Sequence, residues 1–318
     1  MNKVLVLVVF ILIPIAIFTE PGEEQAVLKT NADEAFSLEL PVLIEEEKEE
    51  SDIQVSLSYN QDKSEAFTMD LEEYVIGVVA GEMPASFDME ALKAQAVATR
   101  SYALYKMNAN ENYVLSTTIS DQVYLTKEQM QEKWGDDFDY YYNRVREAVD
   151  ATAGEALTYD GDLAITYYFA ISNGYTDDAS TVFHEDRDYL VSVASPWDQS
   201  YQAYSSTYTL DKNTFCSKLG ISCDAISVTN LVRADNHYVR EIAINGVTFT
   251  GIQVFQKLNL KSADFTITQN GDTISIETLG FGHGVGMSQY GALGMAEEGY
   301  TYQEILKHYY QNTEIAKI

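Results

Sequence analysis

The stretch Leu71–Met107, LEEYVIGVVAGEMPASFDMEALKAQAVATRSYALYKM, admits few folds. Its spacing predicts helix, break, helix. Leu71, Tyr74, Val75, Val78 and Val79 recur at helical intervals and make one apolar face. One step further along that face stands Glu82, in the last turn before Pro84 stops the helix. Burial and the negative end of the helix dipole both disfavour a charged carboxylate there. They push its pKa toward the range that a general acid needs near neutral pH. The same residues also allow a Glu82 turned outward in a frayed turn, or paired with Lys93 or Arg100. For the second helix, Ser86 is the expected cap, with Asp88 and Glu90 in the first turn. Lys93, Ala96, Arg100 and Ala103 share a face, so two cations point along one side, toward a site or toward solvent.

YVIGVVAGEMPASFDMEALKAQAVATRSYAL resembles the signature of the stage II sporulation protein D family, the SpoIID/LytB domain. GFGHGVGMSQYGALGMAEEGYTYQEILKHYY resembles that family's second signature, and the likeness runs from about Phe67 to Ile318. Two long motifs in order are far more specific than a short pattern. The resemblance implies a lytic transglycosylase of peptidoglycan whose catalytic acid is Glu82. It also implies two partners, the amidase stage II sporulation protein P and the membrane protein stage II sporulation protein M. The LytB branch implies a different role, a non-catalytic wall-binding activator of an amidase.

The formal charge of −29 over 318 residues argues against a nucleic-acid partner, which needs a basic face. Lys3 precedes an apolar run, Val4–Phe18, short for a spanning helix and also the size of a signal-peptide core. No small-x-small cleavage site follows, so an uncleaved anchor at residues 1–19 is expected, with the remainder outside the cytoplasm. Residues 20–66 read as an acidic tether, although Ile53–Tyr59 alternates like a strand. Cys216 and Cys223 suit either a disulfide closing a small loop or two thiols. There is no HExxH or four-ligand zinc pattern, and the resemblance brings no metal ligands at Gln122-Val123-Tyr124; neither a metal nor a cofactor is expected.

Lys127–Trp134 and Tyr141–Ala153 read as helices. Glu155–Tyr159 and Ala164–Phe169, split by Asp160-Gly161-Asp162, read as a hairpin, and Leu190–Val193 as a short strand. Ser172, Asn173 and Thr176 either hydrogen-bond sugar hydroxyls or form a polar turn around Gly174. Tyr201–Asn259, including VTFTGIQVF, reads as β-rich, apart from a helix at Lys212–Leu219. The alternating Gly280, Gly282, Gly284 and Gly286 would let a ligand approach the backbone. His283, Ser288 and Gln289 bring polar groups to that loop, and the resemblance places the segment along the groove. Ser288 also suits a helix cap, as does the Thr301/Glu304 capping box of the last helix.

The expected fold is α+β. A helical catalytic segment packs on mixed and antiparallel β structure within residues 67–318, and a smaller β-rich lobe is inserted at about 201–260, the whole forming a glycan groove. Glu82 is the expected acid, with Lys93, Arg100, Ser172, His283, Ser288 and Gln289 as the expected substrate contacts.

Overall fold

A computed structural model describes residues 53–59, 65–223 and 226–318. The expected anchor and most of the expected tether lie outside the described residues. Among the described residues, no helix is long and apolar enough to cross a membrane.

Strand β1 (Gln54–Ser58) pairs antiparallel with β2 (Ala66–Asp70). Val55 and Leu57 of β1 are buried in the main core, so the folded region starts ahead of Phe67. Asp70 then caps helix α1 (Leu71–Glu82) by accepting from the amides of Glu72 and Glu73. Helix α2 (Met89–Ala109) is capped by Asp88 rather than Ser86. Its alanines from Ala91 to Ala103 are buried, which lets α1, later helices and a strand all approach it. The short β3 (Leu115–Ser116) runs parallel to β1. Helix α3 (Lys127–Trp134) carries a Thr126/Gln129 capping box, and α4 (Phe138–Ala151) starts three residues before the expected Tyr141.

Strands β4 (Glu155–Tyr159) and β5 (Asp162–Leu163) form a hairpin at the expected turn, with Asp160 and Gly161 both at positive φ, but its second strand is Asp162–Leu163 rather than the expected Ala164–Phe169. Beyond Leu163 the chain leaves that sheet. Residues Tyr168–Phe169, β6, pair elsewhere, and Leu190–Val193 is irregular around the short helix α5 (Ala179–Val182).

The lobe runs from β7 (Ser205–Asp211) through α6 (Lys212–Leu219), β8 (Val228–Arg233), β9 (Val239–Ile244), β10 (Val247–Thr250), α7 (Gly251–Leu258) and β11 (Phe265–Asn270) to β12 (Thr273–Leu279). It is longer than residues 201–260, because β11 and β12 close a sheet with β7. GIQVF is helix rather than strand: a Thr250/Gln253 capping box starts α7 there. The lobe has its own core around Phe215, Val239, Ile242, Val254 and Phe265. Cys216 and Cys223 are joined by a disulfide.

The chain then returns to the main core. β13 (Met287–Ser288) pairs parallel with β6, α8 (Gln289–Glu297) and α9 (Tyr302–Tyr309) pack on α2, and β14 (Glu314–Lys317) pairs with β4. The expected α+β class is what the structure shows.

Candidate active site

Two glycines build the site. Gly77 and Gly81 lie four residues apart, hence on one face of α1. A Cβ on Gly77 would stand 2.1 Å from the Tyr124 ring, and one on Gly81 2.4 Å from the Val123 carbonyl oxygen. Their bareness lets residues 122–125 cross the helix in contact, fixed by the Leu125 amide donating to the Gly77 carbonyl at 3.0 Å. That crossing brings the Val123 amide to 2.6 Å from Oε1 of Glu82.

Glu82 is half-buried at the end of α1. Burial drives its pKa up to about 7, against the Val123 hydrogen bond and the charge of Lys133, which both pull it down. Lys133 donates to the Ala80 carbonyl at 2.8 Å, and burial depresses its own pKa while Glu82 raises it. With Oε1 held by Val123, the geometry leaves Oε2 to carry the proton.

A polar chain lies behind Glu82. The Tyr74 hydroxyl donates to Gln122 Oε1 at 2.8 Å, and Gln122 Nε2 donates to the Tyr168 hydroxyl at 2.9 Å. Tyr168 also bonds the Thr99 side chain, Thr99 accepts from Gln95, and Gln95 accepts from Gln289. Tyr74, Gln95, Thr99 and Gln122 are buried, and Tyr168 is the member that is partly exposed. Both tyrosines lie within electrostatic reach of Glu82, and burial keeps both phenols protonated.

The other expected contacts are committed to the fold. Neither cation weighed as a partner for Glu82 pairs with it. Arg100 is 0 % exposed: Nε and Nη2 grip Glu72 and Nη1 donates to the Glu155 carbonyl at 2.9 Å, tying α2 to α1 and β4. Lys93 pairs with Glu90 at 2.7 Å and lies over the Tyr302 ring, at the α2–α9 junction. Ser172 and Ser288 are buried and both donate to Asp198, which also takes the Ser195 hydroxyl and the Ser172 amide. Burial still raises the Asp198 pKa against these bonds. Asn173 and Thr176 are likewise bonded within the fold, to Asp264 and to Val191 and Val193. Gln289 joins the chain behind Glu82 only through Gln95.

His283 accepts from the Val285 amide at Nδ1 and is boxed by the rings of Tyr167, Phe169 and Phe183. Burial lowers its pKa to about 4, so the ring is neutral at physiological pH. The four glycines around it all have positive φ, and a Cβ at Gly280 or Gly286 would meet the carbonyls of Ile171 or Tyr167. Gly280, Gly282 and Gly286 serve close packing against residues 167–173, and Gly284 against Tyr238 and Asp177, rather than access for a ligand.

A family model described as SpoIID, stage II sporulation protein, matches residues 59–159. Stage II sporulation protein D of Bacillus subtilis (strain 168) is 43% identical over 255 residues, covering 78% of this chain and 74% of that protein. The chain belongs to the SpoIID family. The protein of the same name from Bacillus amyloliquefaciens is 42% identical over the same span. A more distant relative, an amidase enhancer of Bacillus subtilis (strain 168), is 26% identical and has 40% of its length covered. The SpoIID match takes in Glu82, Val123 and Lys133. Lys133 has no sequence signal, because it lies on a polar helix. The glycine pair in GVVAG was the readable sign that another segment crosses α1.

Proposed function

We propose that this sporulation protein is a membrane-anchored lytic transglycosylase that cleaves the bond between N-acetylmuramic acid and N-acetylglucosamine during forespore engulfment. The observation that carries this reading is a single carboxylate raised by burial to near neutrality against a backbone amide and a lysine, with no second carboxylate among the described residues shifting it. Hydrolases that use two carboxylates need a second one at a defined separation. A transglycosylase needs one. Protonated Glu82 gives its proton to the glycosidic oxygen as the C1–O bond breaks. The resulting carboxylate then takes the proton of the muramoyl C6 hydroxyl, whose oxygen closes on C1. The product ends in a 1,6-anhydro sugar, and no water is consumed.

Anchoring by the apolar run Val4–Phe18 would hold the domain outside the cytoplasm. Family membership supports stage II sporulation proteins P and M as partners.

The test is mass spectrometry of peptide-free glycan strands incubated with the protein. Anhydro-ended fragments from the wild type, absent with Glu82→Gln, are expected. Reducing ends would make it a hydrolase. The amidase-enhancer relative supports a second reading, a wall-binding activator. Glycan binding without cleavage, together with stimulation of an amidase, would favour it.

A further inference from the structure

The corner between α3 and α4 concentrates aromatic side chains that the acid chemistry does not use. Trp134 lies 5.8 Å from the Tyr141 ring and 6.3 Å from Phe138, and Tyr140 packs edge-on to Tyr141. Tyr140 is 61 % exposed. Three exposed carboxylates, Asp136, Asp137 and Asp139, are interleaved with these rings.

This corner is pinned to the acid loop at two points. Lys133, beside Trp134 in sequence and over its ring, reaches back to the Ala80 carbonyl and to the field of Glu82. Arg144, over the Tyr140 ring, donates to the Ala85 carbonyl at 3.0 Å and to that of Phe87 at 2.6 Å. The aromatic surface therefore continues directly from the segment Ala80–Phe87 that carries the acid.

We infer that the Trp134–Tyr140 corner is a saccharide subsite, which takes a sugar ring of the glycan strand next to the bond presented to Glu82. Aromatic faces pack against the apolar C–H face of a pyranose, and neighbouring carboxylates accept from its hydroxyls. An acidic, aromatic rim suits the neutral N-acetylglucosamine ring of the strand rather than the N-acetylmuramic acid ring, whose free lactyl carboxylate it would repel. This inference rests on the proposed glycan activity.

Trp134 and Trp197 are the chain's two tryptophans, and Trp197 packs on Tyr300 and His308 elsewhere in the fold. The full-length chain carrying Glu82→Gln and Trp197→Phe thus has one tryptophan, at the corner, which is excited selectively over the tyrosines. It is titrated with purified peptide-free glycan strands, with total binding followed by calorimetry. The expected result is a saturable change in Trp134 emission, and an affinity about tenfold weaker with Tyr140→Ala added. Tyr140 is largely exposed, so that variant keeps its thermal midpoint. Calorimetric binding with silent Trp134 emission and no effect of Tyr140→Ala would overturn the subsite and leave the proposed activity standing. Neither cleavage by the wild type nor binding by the Glu82→Gln chain would overturn both.

Discussion

Glu82 is ionised at a cost, and that cost has two measurable consequences. Its acid form, which the proposed first step needs, is lost as pH rises through about 7, so turnover should fall on the alkaline side of that value. Lys133 opposes the upward shift, so Lys133→Met should raise the carboxyl's pKa and move the alkaline limb of the pH–rate profile upward. The second consequence concerns stability. The native state holds this proton more tightly than the unfolded chain does. Stability is therefore intact below the ordinary glutamate value of 4.5 and is lost as pH rises to about 7. Glu82→Gln keeps the acceptor for Val123 and removes the charge. It should stabilise the protein at pH 8 by up to about 3 kcal/mol and be neutral at pH 4, as chemical denaturation at the two pH values would read.

At the scale of elements, Arg100 and Gly81 separate what the sequence shows from what it hides. The α1–break–α2 plan, the Asp70 cap and the capping box of α9 follow from local rules and are present. So is the face that carries Glu82. Arg100 lies on a face that reads as amphipathic, yet its partners Glu72 and Glu155 come from α1 and β4, and no local pattern reports such distant pairing. For the same reason Ser172 and Ser288 read as groove residues although Asp198 claims both. Arg100→Ala takes the fully buried partner from a half-buried Glu72 and should cost about 3 kcal/mol in a denaturant titration; Arg100→Lys also fails, lacking the two-pronged grip. Gly81→Ala acts more locally. Its methyl group displaces the Val123 carbonyl, drawing the neighbouring amide from Glu82. It should cost about 1–3 kcal/mol of stability and lower kcat far more than a mutation of equal stability cost elsewhere.

Over the whole molecule, two cores meet through polar contacts rather than through one continuous apolar interior. Arg240 of the lobe grips Asp177, Asp264 receives the Asn173 amide, and the Tyr238 hydroxyl reaches the Tyr175 carbonyl. These contacts hold the lobe to residues 173–177, while Glu82 and its support belong to the main core. The disulfide lies wholly within the lobe, joining buried Cys216 of α6 to Cys223 across a separation of seven residues. Closing so short a loop is worth about 2.5 kcal/mol by chain entropy. A double Cys216→Ala/Cys223→Ala variant should therefore lose amide-exchange protection in α6, β7 and β12, which pack around Phe215, Ile274 and Ile276. Protection in α1 and α2 should persist, because their partners are one another, α4, α8 and α9. If α1 loses protection in step with α6, the two cores unfold as one cooperative unit, and the polar seam transmits stability as effectively as an apolar one.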